Sequence, residues 1–138
     1  MGTVAKIWLK RFKRGPMDPV LAAELVPARG LRGNANQGGR RQVTIIDEAS
    51  FADAGVDPSA RRANVMLRGL DLRASRGRIL RLGQCRLRIL GETRPCERME
   101  EAKPGLREYL RHEWRGGVFA EVLDGGLVSL GDEAAWEV

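Results

Sequence analysis

The chain has 138 residues, 43% of them hydrophobic, which is enough for one domain with its own buried core. Its 24 Lys and Arg exceed its 18 Asp and Glu, and the net charge of +6 favours anionic partners such as a phosphorylated small molecule, nucleic acid or anionic lipid. Two cysteines exclude a disulfide framework. No stretch has the length of a membrane span or a signal peptide, so we expect a soluble cytoplasmic protein with no membrane partner.

The first third of the chain predicts strands separated by turns. Residues 4–12 predict a strand with a basic end, and residues 20–26 predict either a strand or a short helix, because so short a run does not settle the periodicity. Residues 30–41 are rich in glycine, asparagine and arginine and predict a loop. From Gln42 to Ile46 the chain alternates polar and apolar side chains, which predicts a further strand.

The middle of the chain begins with helical signals. Asp47 is a candidate N-cap for a short helix that runs to Ala54 and stops at Gly55. Asp57-Pro58 predicts one more helical turn, because proline is favoured at the first helical position. Two short helical segments are therefore expected between the strand that ends at Ile46 and the next strand.

Three more strands are predicted after these helices, over residues 64–67, 78–82 and 84–90. In the last of them, Cys85, Leu87 and Ile89 share one face, and two arginines alternate with them. A cysteine on the apolar face of such a strand is typical of a core residue. We therefore predict that Cys85 is structural.

The C-terminal third predicts a helix, a hairpin and a last strand. A helix begins at Pro104, and one stripe of it carries Leu106, Tyr109, Leu110 and Glu113. Residues 118–123 and 127–130 predict a β-hairpin through Asp124-Gly125-Gly126, because Asp-Gly accepts the positive φ of tight turns. The segment from Ala134 to Val138 alternates again and predicts a short strand.

Together these elements predict a mainly β fold with about seven to nine short strands and two or three short helices. Most connections are too short for parallel crossovers, so antiparallel pairing is expected. We predict one domain over residues 1–138, an antiparallel β-barrel with its helices packed outside.

Cys96 is the leading candidate for a reactive residue. It follows Pro95 and lies between Arg94 and Arg98, just beyond a predicted strand. Neighbouring cations favour the thiolate, which is both the nucleophilic and the metal-binding form of cysteine. The alternative from local chemistry alone is a half-buried cysteine in a turn with no function.

Other features carry weaker signals. The loop at residues 30–41 could cradle a phosphate with Arg40 and Arg41, but it matches no phosphate-loop pattern and is equally compatible with a flexible surface loop. A basic run interleaved with aromatic residues could bind a nucleic-acid backbone, although an edge strand is the commoner meaning; it comprises Lys6, Trp8, Lys10, Arg11, Phe12, Lys13 and Arg14. His112 stands alone and predicts no zinc site.

Several short motifs follow one another in the order of a known family. They are Arg62-Ala63-Asn64, Gly69-Leu70-Asp71-Leu72, Gly83-Gln84, Arg94-Pro95-Cys96, Pro104-Gly105-Leu106, Gly116-Gly117-Val118, Gly125-Gly126 and Gly131-Asp132. From about Gly30 to Val138 the chain resembles a MOSC domain, the C-terminal part of molybdenum cofactor sulfurases. Pro-Cys after a glycine-rich strand pair is the most specific element of the resemblance.

The resemblance implies a β-barrel-like fold and a role for Cys96 as a sulfur carrier or molybdenum ligand. It also implies that the molybdenum cofactor, or molybdopterin, binds near Asn64, with its phosphate held by arginines from the set Arg40, Arg41, Arg62 and Arg94. Many family members carry an acid and a histidine before the strand at residues 42–46. Here residues 33–39 contain neither, which weakens any proton-handling role for that loop.

The resemblance therefore implies a molybdenum-cofactor-binding domain that carries sulfur as a persulfide on Cys96 or ligates molybdenum during cofactor sulfuration. Its expected partners are a pyridoxal-phosphate-dependent cysteine desulfurase and a molybdoenzyme. One alternative is a molybdenum-dependent reductase of N-hydroxylated compounds, fed by a separate electron-transfer protein. Another is a non-catalytic basic module that binds nucleic acid, which explains the charge but leaves Cys96 unused.

Overall fold

Strands dominate the computed structural model, which describes residues 1–52 and 54–138. In chain order, β1 to β11 are Gly2–Lys10, Met17–Val20, Ala22–Val26, Gly30–Leu31, Val43–Asp47, Val65–Arg68, Ile79–Leu82, Cys85–Glu92, Val118–Asp124, Gly126–Ser129 and Glu133–Trp136. The helices α1 to α3 are Glu48–Ala52, Glu97–Ala102 and Leu106–Arg111, and Pro58–Arg61 forms a short 3₁₀ helix. The predicted mainly β class is confirmed.

Seven strands form a closed barrel in the order β11-β7-β8-β9-β5-β6-β1, and pairing of β1 with β11 closes the ring. Side chains alternate between the inside and the outside of this barrel along its strands. On β8, the side chains of Cys85, Leu87 and Ile89 point into the barrel and are fully buried, whereas Arg86 and Arg88 point outward and form ion pairs. The prediction that Cys85 belongs to the core is confirmed.

One pair in the barrel is parallel, so the sheet is mixed and the prediction of purely antiparallel pairing is wrong for this pair. In it, β5 lies beside β6 with Ile45 opposite Val65. The segment between the two strands contains α1 and the 3₁₀ helix, which makes it long enough for the crossover that parallel strands need.

The predicted hairpin of residues 118–123 and 127–130 is also wrong, although both strands exist. In the barrel, β8 and β5 occupy the two edges of β9, which leaves no edge for β10. Instead β10 pairs with β3 in a small sheet of order β10-β3-β4. A Cβ at Gly125 would overlap the carbonyl oxygen of Leu25, so glycine is needed where the chain passes from one sheet to the other.

The helices cover one side of the barrel and enclose a second apolar cluster. Its buried residues are Trp8, Ile46, Phe51, Ala54, Ala63, Met66, Met99, Leu106 and Leu110.

The predicted N-caps are confirmed, because Oδ1 of Asp47 accepts from the amide of Ser50 at 2.7 Å and Oδ1 of Asp57 accepts from the amide of Ser59 at 2.9 Å. The chain therefore enters both helical segments as its sequence predicts.

The remaining predictions for short elements differ in detail. Residues 20–26 form strands and not a helix, because β2 ends at Val20 and β3 runs from Ala22 to Val26. The start of β2 at Met17 was not predicted. The helix predicted from Pro104 runs from Leu106 to Arg111, so Glu113 lies beyond its end. The predicted extension of α1 to Ala54 passes through Asp53, which lies outside the described residues. Helix α2, which directly follows Cys96, was not predicted from the sequence.

Acid should destabilise this fold through its surface ion pairs. Arg86 holds the pKa of the Glu137 carboxyl below its usual value, and Arg68 does the same for Glu48. Both carboxyl pKa values are lower in the folded chain than in the unfolded chain. The ion pairs therefore contribute their full stability at any pH above the unfolded carboxyl pKa of about 4.3, and this contribution is lost as the pH falls through the folded pKa values.

We therefore expect the melting temperature at low salt to fall as the pH drops from about 5 to 3. Circular dichroism at several pH values measures this dependence. The Glu137→Gln variant should lose slightly less stability over the same range than the wild type. A melting temperature that rises on acidification would contradict the assignment of these pairs.

Candidate functional site

Cys96 lies in a cleft of about 210 Å³ beside the amino-terminal ends of β5 and β6. The residues that line it come from seven segments of the chain that meet at this end of the barrel. They are Lys10, Met17, Asn34, Asn36, Arg41, Thr44, Ile45, Ile46, Arg61, Arg62, Ala63, Asn64, Thr93, Cys96, Arg98, Met99 and Gly116. We call this the Cys96 cleft.

Cys96 is exposed and is the N-cap residue of α2, and its side chain makes no capping hydrogen bond. The segment that precedes Cys96 is fixed by hydrogen bonds from Thr93 to the backbone of residues 116 and 117. The Thr93 hydroxyl donates to the carbonyl of Gly116 at 2.7 Å, and the Thr93 amide donates to the carbonyl of Gly117 at 2.9 Å. The fold therefore presents a free thiol on a fixed backbone at the mouth of the cleft.

The cleft is strongly cationic. Lys10, Arg41, Arg61, Arg62 and Arg98 all line it. In the described part of the chain, none of the residues that line it is acidic or a histidine. Such a site favours an anionic ligand, and guanidinium groups bind phosphate in a bidentate manner.

Arg61 is a cleft residue that the sequence analysis missed. Its Nε donates to the carbonyl of Gly116 at 2.9 Å, so its guanidinium is fixed beside the segment that carries Thr93 and Cys96. Burial lowers the pKa of the Arg61 guanidinium, while a negative charge on Cys96 raises it. The only sequence signal was its position next to the Arg62-Ala63-Asn64 motif.

Asn64 lies at the cleft, but its amide group is fully engaged with the protein. Its Oδ1 accepts from the amide and hydroxyl of Thr44 at 3.2 Å, and its Nδ2 donates to Trp8 and Asn34 at 3.3 and 3.2 Å. This buried network joins β1, β5 and the start of β6. Asn64 is therefore placed to hold the walls of the cleft together.

Asn34 lies in the loop at residues 30–41 and lines the Cys96 cleft. It is buried, and its Oδ1 accepts from the amide of Lys10 at 2.8 Å. The side chain of Gln37 donates to the carbonyl of Leu31 at 2.8 Å. The loop at residues 30–41 is thus tied to the barrel by its own side chains and forms one wall of the cleft.

Arg40 and Arg94 lie elsewhere, so the structure does not bring them into the Cys96 cleft. The Arg40 guanidinium lies 5.9 Å from the centroid of the Phe119 ring, on which Arg41 also packs at 5.2 Å. Arg94 is exposed and lines a separate pocket with Glu92 and two other arginines. Of the residues assigned from the sequence, Cys96, Arg41, Arg62 and Asn64 come together.

A larger depression of about 550 Å³ lies by α1 and α3, but both of the arginines that line it are paired with carboxylates, Arg73 with Asp71 and Arg115 with Glu113. Arg73 bonds Asp71 at 3.0 Å, and Arg115 packs on the Tyr109 ring at 4.3 Å. No thiol lines this depression among the residues described. The smaller Cys96 cleft therefore has the better chemistry for binding an anion and for reaction.

The remaining sequence candidates contribute less. Trp8 is buried in the core, so the basic run of β1 lacks one of the two aromatic rings that suggested a nucleic-acid interface. His112 is exposed and lies 3.0 Å from Glu108, as expected of a surface residue. Within residues 1–52 and 54–138, no three His, Cys, Asp or Glu side chains come together as a metal site, and no helix is long and apolar enough to cross a membrane.

Comparison with solved structures shows that the fold is shared by bacterial proteins of low sequence identity. The YUAD protein of Bacillus subtilis is 19% identical, with a TM-score of 0.79 over 97% of this chain and 94% of that one. YiiM of Geobacillus stearothermophilus is 15% identical, with a TM-score of 0.79 over 100% and 76%. YiiM of Escherichia coli is 18% identical, with a TM-score of 0.72 over 100% and 71%.

The sequence comparisons identify the family. No curated protein matches the chain. The model of the MOSC domain matches residues 32–135, which include the loop at residues 30–41 almost entirely, Cys96 and every strand from β5 to β10. The chain therefore belongs to the MOSC domain family, whose members are associated with the molybdenum cofactor.

Proposed function

We propose that this MOSC domain binds the molybdenum cofactor in the Cys96 cleft and carries sulfur as a persulfide on Cys96. The observation that supports this proposal best is one shared cleft, in which an exposed thiol lies among five cations with no acidic neighbour lining the site. A carrier thiol must reach a donor and an acceptor in turn, and the exposure of Cys96 allows both contacts.

The residues of the cleft fit the cofactor in their chemistry. A phosphorylated pterin requires cations, which Arg41, Arg61 and Arg62 provide, and a soft thiolate is a suitable ligand for a soft, sulfur-bound metal. Because the described residues hold no cluster of metal ligands, a metal here would take Cys96 from the protein and its other ligands from the cofactor. When bound, the cofactor supplies the metal centre that accepts the sulfur.

The loading step needs only the thiolate of Cys96 and a persulfide donor. The thiolate attacks the outer sulfur of the donor persulfide, a new S–S bond forms on Cys96, and the S–S bond of the donor breaks. The donor leaves as a thiolate, so the exchange needs no added oxidant or reductant.

The proposed partners follow from this step. A pyridoxal-phosphate-dependent cysteine desulfurase carries such a persulfide and would be the donor, and a molybdoenzyme would receive the sulfurated cofactor. The reductase alternative needs a separate electron-transfer protein instead. In that case molybdenum would stay bound through Cys96 and sulfur would not accumulate on the thiol.

Mass spectrometry of the intact protein and its peptides tests the proposal. After incubation with polysulfide, or with a cysteine desulfurase and cysteine, we expect the peptide that contains Cys96 to gain the mass of one sulfur atom. Treatment with dithiothreitol should remove it, because a persulfide is reducible. A Cys96 peptide that gains no sulfur from either donor would refute the carrier role.

A further inference from the structure

A second cationic surface, which we call the arginine hollow, lies beside the segment that carries Cys96. It has a volume of about 470 Å³, and the residues that line it are Glu92, Arg94, Pro95, Arg107 and Arg111. Thr93 and Cys96 line the Cys96 cleft, whereas Arg94 and Pro95 line the hollow, so the two cavities lie on different sides of one short segment. Only two peptide units separate Arg94 from Cys96, and their Cα atoms are therefore at most about 7.6 Å apart.

The arginines of the hollow are carried by fixed backbone. Arg107 and Arg111 are four residues apart on α3, which places their side chains on one face of that helix, and the leucines of α3 are buried in the apolar cluster under the helices. Arg94 lies between Thr93, which is bonded to the backbone of residues 116 and 117, and Pro95, which is buried. The fold therefore presents three guanidinium groups to one hollow.

The guanidinium groups of the hollow are available to an external anion. Within residues 1–52 and 54–138, no carboxylate forms an ion pair with Arg94 or Arg107, although Glu92 also lines the hollow. Arg111 bonds Glu108 at 2.7 Å, but the two side chains are 64% and 61% exposed, and such a surface pair is weak. Arginines on other parts of the surface are paired with carboxylates, namely Arg11, Arg32, Arg68, Arg73, Arg86, Arg88 and Arg115.

We infer that the arginine hollow is the docking site for a carboxylate-rich surface of the protein that delivers sulfur to Cys96. The inference rests on the proposed function, in which the cofactor fills the cleft and a donor protein reaches the thiol from the side that the cofactor leaves open. Guanidinium groups bind carboxylates in a bidentate manner, and complementary charge accelerates the encounter of two proteins. The sulfur transfer itself is the S–S exchange described above, so docking adds no reactant.

The residues of the hollow favour a protein over nucleic acid as the partner. In the described part of the chain, no aromatic residue lines the hollow, whereas single-stranded nucleic acid is bound through a series of aromatic rings. Arginine is enriched at the centres of protein interfaces, where it combines a charged group with an apolar stem. Three arginines beside a proline therefore fit an acidic protein surface.

Sulfur loading from two kinds of donor tests this inference. One donor is polysulfide, which needs no docking surface, and the other is each cysteine desulfurase encoded by the same genome, supplied with cysteine. In Arg107→Glu combined with Arg111→Glu, loading by the desulfurase at low salt should slow by about 10-fold or more, because electrostatic attraction raises association rates by roughly 10- to 10³-fold. Loading by polysulfide should be unchanged, which also shows that the variant is folded.

A matched double variant controls for net charge. Arg29→Glu combined with Arg81→Glu changes the net charge by the same amount, and both arginines are exposed on other parts of the surface. This control should load from the desulfurase at close to the wild-type rate. Equal losses in the two double variants, or an unchanged rate in the α3 double variant, would overturn the inference.

The two donors also keep this inference separate from the proposed function. A wild type that loads from polysulfide but from none of the desulfurases would overturn the docking inference and leave the carrier role intact. A wild type that loads from neither kind of donor would refute the carrier role itself. If a single-stranded oligonucleotide bound the hollow, lost its affinity only in the α3 double variant and left loading by the desulfurase unchanged there, the hollow would be a nucleic-acid site instead.

Discussion

Replacing Cys96 by serine should abolish sulfur loading, whereas replacing Cys85 by serine should leave it intact. Cys96 is exposed in a cationic cleft, while Cys85 is fully buried inside the barrel. Burial raises the pKa of the Cys85 thiol, and the charges of Asp132 and Asp124 raise it further, so its thiolate is suppressed. Serine at position 96 cannot form a persulfide and is a poor ligand for a soft metal.

The order of the two effects should be reversed for stability, so that Cys85→Ser is the more destabilising substitution. Cys85→Ser buries a hydroxyl in an apolar interior and should cost about 1–3 kcal/mol, whereas Cys96→Ser changes an exposed group and should cost less than about 0.5 kcal/mol. Urea unfolding measures both values. Loading that persists in Cys96→Ser would refute the assignment of the reactive thiol.

Molybdenum analysis of the same two variants, purified from a host supplied with molybdate, separates the carrier from the reductase. If Cys96 only carries sulfur, the metal should be retained weakly and sulfur should accumulate on the thiol. Near-stoichiometric molybdenum that is lost in Cys96→Ser, with no sulfur loading of the wild type, would favour the reductase. The Cys85→Ser variant serves as the control for metal lost through instability.

Replacing Gly117 by alanine should strongly destabilise the protein. Gly117 has a φ of +92°, and a Cβ there would overlap the carbonyl oxygen of Ile45 and approach Cγ2 of Ile46 to 2.9 Å. The obstacle is backbone on the barrel strand β5, so it has little freedom to move. We expect a loss of about 4 kcal/mol or more, a large part of the 5–15 kcal/mol that keeps an ordinary domain folded.

Gly131→Ala is the matched control for this variant. Gly131 has a φ of +88°, yet a Cβ there would meet no atom within 4 Å. It should therefore report the cost of backbone strain alone, about 1–2 kcal/mol. If urea unfolding gives both variants the same loss, the close approach of Gly117 to β5 is not what makes glycine necessary there.

The Gly117 variant also links stability to the site. The carbonyl of Gly117 accepts from the Thr93 amide, and the neighbouring Gly116 accepts from Arg61 and the Thr93 hydroxyl. A displaced segment would therefore move Arg61 and the strand end that leads to Cys96. In any folded fraction of Gly117→Ala, we expect sulfur loading to fall together with stability.

Local sequence was sufficient for features that depend on neighbouring residues. Alternation along residues 84–90 predicted which side chains of β8 enter the barrel, because successive residues of a strand point to opposite faces. Asp47 and Asp57 predicted helix starts, because an N-cap bonds an amide two or three residues away. Arg94-Pro95-Cys96 carried enough chemistry to single out Cys96 before any fold was known.

The pairing of strands that are distant in the sequence could not be predicted from such local patterns. The Asp124-Gly125-Gly126 signal predicted a hairpin, but a turn signal carries no information about which edges are free. In the barrel β9 is already paired on both sides, so β10 pairs with β3, which lies far away in the sequence. The parallel pairing of β5 with β6 depended likewise on a crossover whose helices were predicted but whose route was not.

For this protein, sequence alone was enough to establish the mainly β class and the family and to single out Cys96 as the candidate reactive residue, because each depends on short patterns of neighbouring residues. Tertiary structure decided the composition of the site. It brought Arg61, Arg62, Arg41 and Asn34 to Cys96 from separate segments and left Arg40 and Arg94 outside the cleft. Arginines have no local pattern that distinguishes one facing a cleft from one facing solvent, and only closure of the barrel determines which of them share a site with the thiol.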